Sequence, residues 1–139
     1  MAPLLCDPVT GTGSTRRILI ADDYPDSASS LALLLDIDGF ETETVADGTG
    51  VLPATARFVP DVVVMELSLP GCDGEEVARG LLTLPPERRP RVIVASGYGD
   101  AARRSRLTGL GVDAYLVKPA DPEELLARVR EACNRASVR

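Results

Sequence analysis

Five short runs rich in β-branched and other apolar residues, alternating with stretches of helical spacing, constrain this chain more than any other feature. They occupy residues 18–21, 41–45, 62–65, 92–95 and 114–117. Each has the length and composition of a strand. The first, third and fourth are apolar throughout, as parallel strands covered on both faces must be. The second, Glu41-Thr42-Glu43-Thr44-Val45, alternates and suits a sheet edge. The pattern predicts an α/β fold: a doubly wound, five-stranded parallel sheet with helices on both faces.

The intervening segments carry helix punctuation. Pro25 opens the first, Ala28, Leu31, Leu34 and Leu35 share one face, and Gly39 closes it. The last begins at Asp121-Pro122-Glu123-Glu124, a capping residue, a first-turn proline and two acids that suit the helix dipole. Leu125, Leu126, Val129 and Cys133 follow at helical spacing. Pro53 predicts that the second helix is short, starts late or is kinked. Residues 1–16, rich in Pro, Gly, Thr and Ser, read as a tail, leaving 17–139 as one domain.

Composition removes several functions. With 15 basic against 21 acidic residues, the net charge of −6 argues against nucleic acid as a partner. There is no histidine, and Cys6, Cys72 and Cys133 lack Cys-x-x-Cys spacing, which excludes zinc ribbons and histidine-based catalysis. No apolar run is long enough to span a membrane or serve as a signal peptide, so a cytoplasmic location without membrane contact is expected. Lys118 is the only lysine in a chain that otherwise writes Arg.

In an open parallel sheet, ligands sit beyond the carboxyl ends of the strands. There the runs end in Asp22-Asp23, Glu66, Ser96-Gly97 and Lys118-Pro119. Three carboxylates brought together repel unless a cation joins them, and Lys118 is expected to neutralise only one. Hard oxygen ligands beside an ammonium and a hydroxyl form a set suited to Mg²⁺ and phosphoryl groups. The alternative is that these acids merely cap helices.

From residue 17 to about 136 the chain resembles the receiver domain of bacterial two-component response regulators. The motifs are Ile20-Ala21-Asp22-Asp23-Tyr24-Pro25-Asp26, the segment from Pro60 through Glu66 to Gly74, Ser96-Gly97-Tyr98, and Tyr115-Leu116-Val117-Lys118-Pro119. The separations between Asp23, Glu66, Ser96 and Lys118 are also those of the family. The resemblance implies strand order 2-1-3-4-5 and a phosphorelay switch fed by a histidine kinase or histidine phosphotransfer protein. It also implies that the chain is not an enzyme. Asp22, Asp23 and the carbonyl of Ser68 would hold Mg²⁺ beside Glu66. Ser96 and Lys118 would sense the phosphoryl group, and Tyr115 would report it to the surface of helix four, strand five and helix five. Pro119 would follow a cis peptide.

The departure is Glu66, which stands where the family has its phosphoacceptor Asp. Its added length predicts weak or absent Mg²⁺ binding. The expected function is a stand-alone pseudo-receiver acting through contacts with an output protein. The alternatives are a receiver phosphorylated at reduced efficiency and a small Mg²⁺-dependent phosphohydrolase. Arg103, Arg104 and Arg106 are candidates for a patch that docks an acidic partner or a second copy of the chain, against the plainer account of a solvated face. Thr10-Gly11-Thr12-Gly13-Ser14-Thr15 precedes the first strand and so is no phosphate loop. Cys72 is expected to serve packing.

Overall fold

The computed structural model describes residues 15–97 and 101–138. Strands β1 (Arg17–Ala21), β2 (Glu41–Val45), β3 (Val62–Met65), β4 (Arg91–Ser96) and β5 (Ala114–Val117) alternate with helices α1 (Pro25–Ile37), α2 (Val51–Phe58), α3 (Gly74–Leu82), α4 (Ala101–Leu110) and α5 (Pro122–Val138). All pairings are parallel, in the order β2-β1-β3-β4-β5. The fold class and the edge position of the polar β2 are as the sequence predicts.

Side-chain alternation divides the core between the two faces of the sheet. Leu19, Ala21, Val63, Met65, Val92 and Val94 belong to the cluster that includes α2, α3 and α4 residues. Ile18, Ile20, Val62, Val64, Ile93 and Ala95 pack with α1 and α5. Strand parity thus decides which face each strand-end residue inherits. Asp22 and Glu66 continue the α1/α5 series, whereas Ser96 continues the α3/α4 series.

Helix ends follow local chemistry. Gly39, at φ 98°, supplies the left-handed turn after α1. Asp121 Oδ1 accepts from Glu123 N at 3.0 Å and caps α5. The second helix is short, one of the outcomes that Pro53 predicts: α2 has eight residues and is unkinked at Pro53, which occupies the first turn, where no intrahelical donor is needed. A 3₁₀ turn, Gly48–Gly50, leads into that helix. Leu34 is only partly buried, unlike Ala28, Leu31 and Leu35.

The expected tail boundary shifts by one residue. Arg16 belongs to the domain, since its carbonyl accepts from Glu41 N at 2.9 Å and its guanidinium pairs with Asp61 at 3.4 Å. Residues 1–14, with the Thr10–Ser14 part of the rejected phosphate loop and Cys6, lie outside the described residues, as does Tyr98. Cys72 is exposed in the β3–α3 loop, with its Sγ close against Gly48. Among the described residues no helix is long and apolar enough to cross a membrane.

Candidate functional site

Backbone bonds carry the strand pairing one step past the strands. Asp22 N donates to Val45 O at 3.0 Å, and Glu66 N donates to Ala21 O at 2.9 Å. Lys118 N donates to Ser96 O at 2.7 Å, and the Lys118–Pro119 peptide is cis. These bonds bring Asp22, Glu66 and Lys118 to one edge of the sheet.

There Lys118 does more than the sequence suggests. Its Nζ lies 2.8 Å from Asp22 Oδ2 and 3.3 Å from Glu66 Oε1, so one ammonium serves two carboxylates. Burial alone would lower the Lys118 pKa. The hydrogen bond to Asp22 and the charges of Asp22 and Glu66 outweigh burial and leave it raised. The remaining oxygens are also engaged: Asp22 Oδ1 accepts from Tyr24 N at 3.0 Å, and Glu66 Oε2 accepts from Ser68 N at 3.1 Å. Glu66 is buried, at 8 % exposure. Ser68 therefore meets the site through its N–H, whereas the sequence reading assigns it a carbonyl.

Asp23 is exposed and stands outside this network. Among the described residues no three acidic, histidine or cysteine side chains gather to hold a metal ion. As arranged, the oxygens that face inward are committed to Lys118 and to backbone N–H groups. A divalent cation would have to displace Lys118 or draw on Asp23, so this arrangement does not fit the octahedral shell that Mg²⁺ demands.

Ser96 is fully buried, and among the described residues its Oγ has no hydrogen-bond partner. Tyr115 is buried in the α4-side cluster, with the Arg104 guanidinium 5.4 Å from its ring centroid.

The basic face read on α4 is corrected in part. Arg106 holds Glu75 of α3 through bonds of 2.7 and 3.0 Å, Arg103 approaches the same carboxylate at 3.6 Å, and Arg79 adds a contact at 3.5 Å. Two of the three candidate docking arginines thus tie α4 to α3. Arg106 holds the Glu75 carboxyl below the usual range against the opposing effect of burial, and the charges of Arg103 and Arg79 add to the lowering. The sequence reading misses Glu75. Its visible signal is the Glu75/Arg79 spacing of one helical turn, together with arginines one turn apart on α4.

Comparison with known proteins agrees with this fold. The profile of the response regulator receiver domain matches residues 18–130. The transcriptional regulatory protein KdpE of Mycobacterium tuberculosis is 36% identical over 121 residues, covering 85% of this chain and 51% of KdpE. The DNA-binding response regulator MtrA of Mycolicibacterium smegmatis is 34% identical over 120 residues, covering 86% of this chain and 51% of MtrA. The chain therefore spans about half the length of these curated relatives. Among solved structures, a CheY-like receiver domain from Methanospirillum hungatei superposes with TM-score 0.83 at 27% identity, over 89% of this chain and 98% of that one. A signal receiver domain from Bermanella marisrubri gives 0.77 at 30% identity, over 86% and 99%. These relatives include DNA-binding regulators, so the exclusion of nucleic acid drawn from charge finds no support in them.

Proposed function

Because the chain belongs to the response regulator receiver family, we propose that it is a pseudo-receiver in which the Glu66 carboxylate stands in for a phosphoryl group. The observation that carries this reading is the double engagement of Glu66, by Lys118 Nζ at 3.3 Å and Ser68 N at 3.1 Å. Both are donors that an incoming phosphoryl group on a shorter side chain would need. The substitution is incomplete. A carboxylate brings about −1 charge and two oxygens, against about −1.5 to −2 and three for a phosphoryl group.

Signalling then runs through protein contacts at α4, β5 and α5, where Tyr115 is buried beneath Arg104. The partner is an output protein, a second copy of the chain, or the histidine kinase or phosphotransfer protein that recognises the fold. Where a full-length protein of this kind acts on DNA, a net charge of −6 argues that these residues are not the ones that touch it. With Asp22 and Glu66 committed to Lys118, the switch does not depend on Mg²⁺. The chain is a binding switch and not an enzyme. A phosphohydrolase would want a second acid two residues beyond its nucleophile, and Ser68 stands there.

A second reading keeps phosphoryl transfer at Glu66 with reduced efficiency. The buried, unpartnered Ser96 hydroxyl favours it, because a phosphoryl oxygen would satisfy that group. Misplacement on the order of 1 Å, such as one added methylene causes, costs roughly 100-fold in rate. Intact-mass spectrometry after incubation with Mg²⁺ and acetyl phosphate separates the two. The pseudo-receiver reading expects no adduct on the wild type and a phosphoryl adduct on Glu66→Asp. An adduct mapping to Glu66 overturns it.

A further inference from the structure

A cavity of about 310 Å³ opens beside the Lys118 site, between the first turns of α1 and the β5–α5 connection. Ile20, Leu31, Val64 and Leu125, all buried core residues, line it, so its walls are largely carbon. Its charge is acidic. Asp22, Asp26 and Glu66 line it against the single cation Lys118, which Asp22 and Glu66 already share. Asp26, in the first turn of α1, lines the cavity and is exposed, and adds negative charge that Lys118 does not balance.

The volume lies at the small end of ligand-binding pockets and suits a fragment-sized molecule. Apolar walls favour a body that releases water from them, and an acidic mouth favours a cation over an anion. We propose that this cavity binds a small organic cation, an aromatic or aliphatic body carrying one amine. The body packs between Leu31 and Leu125, and the ammonium faces Asp26. This inference rests on the pseudo-receiver reading. A ligand so seated touches Lys118 and Glu66, and its binding replaces phosphoryl transfer as the input to the switch.

The test is an NMR titration of the full chain with phenethylamine, its uncharged analogue 2-phenylethanol and its anionic analogue 3-phenylpropionate. Phenethylamine is expected to shift the amides of Ser27, Leu31, Lys118 and Leu125 with a Kd on the order of 1 mM. The alcohol should bind about threefold more weakly, and the anion should not bind. Asp26→Asn should reduce phenethylamine to the affinity of the alcohol and leave the alcohol unchanged. Ser30→Trp, at an exposed helical position on the cavity wall, should abolish both, whereas Ser29→Trp, exposed and off the cavity, should change neither. Equal affinity for all three probes, preference for the anion, or shifts elsewhere in the domain would overturn the assignment. The acetyl phosphate assay runs in parallel. A phosphoryl adduct on wild-type Glu66 overturns the regulatory role whatever the titration gives, and absent binding overturns the cavity site whatever the mass spectrum gives.

Discussion

Two ion networks of opposite charge balance lie on opposite sides of the sheet. At the strand ends one ammonium, Lys118, serves the carboxylates of Asp22 and Glu66. Between α3 and α4 one carboxylate, Glu75, is served by the guanidiniums of Arg79, Arg103 and Arg106. The first leaves negative charge in excess, and among the described residues no second cation pairs with either carboxylate. The second has its cations in excess, and each arginine covers for the others. A network with one irreplaceable member is suited to switching. A redundant one is suited to holding two helices together whatever the switch does.

The largest effect expected from this contrast belongs to Lys118→Ala. It strands Asp22 and Glu66, whose side chains are only 11% and 9% exposed, next to each other without a counter-ion. Removing one partner of a buried ion pair costs about 3–5 kcal/mol, and partial exposure of Lys118 places this case near 3. Urea denaturation at pH 7 measures it. Millimolar Mg²⁺ should return part of the loss in the variant and little in the wild type, because deletion frees Asp22 Oδ2 and Glu66 Oε1 for a cation. A variant as stable as the wild type would mean that Lys118 does not hold the site together.

Glu75→Gln should cost less, about 2 kcal/mol, the worth of hydrogen bonds to a charged acceptor. Less charge is stranded than at Lys118, because Arg79 and Arg106 are about half exposed and can turn to water, although Arg103 is only 28% exposed. The two networks also fail at opposite ends of the pH scale. The Glu75 pKa is lowered from 4.5, so its contribution is present above about pH 4.5 and lost as pH falls through the lower folded value. The Lys118 pKa is raised from 10.5, so its contribution is complete below about pH 10.5 and lost as pH rises through the higher folded value. The deficit of Glu75→Gln should therefore close in acid, and that of Lys118→Ala in alkali. Cys133 adds to the alkaline loss. Burial, with the nearby Asp61 charge, pushes its thiol from 9.0 up to about 12, so stability falls as pH climbs between those values.

These networks were not equally legible in the sequence. Asp22, Glu66 and Lys118 could be found because each ends a strand run, and a parallel sheet gathers such ends on one edge. The oxygen-by-oxygen pairing could not, since it depends on the reach of a flexible lysine and on the N–H of Ser68. Strand faces and the β2 edge followed from period-two alternation. Glu75 stayed hidden because its best partner, Arg106, is 31 residues away on another helix. Only the distance between α3 and α4, set by their packing on the sheet, decides that an arginine on one meets an acid on the other. Pro53 foretold a short α2 but not its start, because one proline is compatible with a break or with a first turn, and the 3₁₀ turn before α2 made it the latter.

Redundancy itself gives the smallest and most discriminating effect. Arg79 meets Glu75 at 3.5 Å within one helix, with its side chain 49% exposed. Pairs of that kind contribute about 0.3–0.5 kcal/mol, and Glu75 retains Arg106 and Arg103 without it. Arg79→Ala should therefore lower stability by no more than about 0.5 kcal/mol. Arg106→Ala should cost about 1–2 kcal/mol, since it removes both of the shorter bonds to Glu75. The Arg79→Ala/Arg106→Ala double variant then carries the information. If the arginines act as alternates, its loss exceeds the sum of the single losses, because Glu75 is left with the 3.6 Å approach of Arg103 alone. Strict additivity, measured by urea denaturation of the four proteins, would show two independent pairs on one carboxylate. The contrast with the single-cation site would then be one of number and not of design.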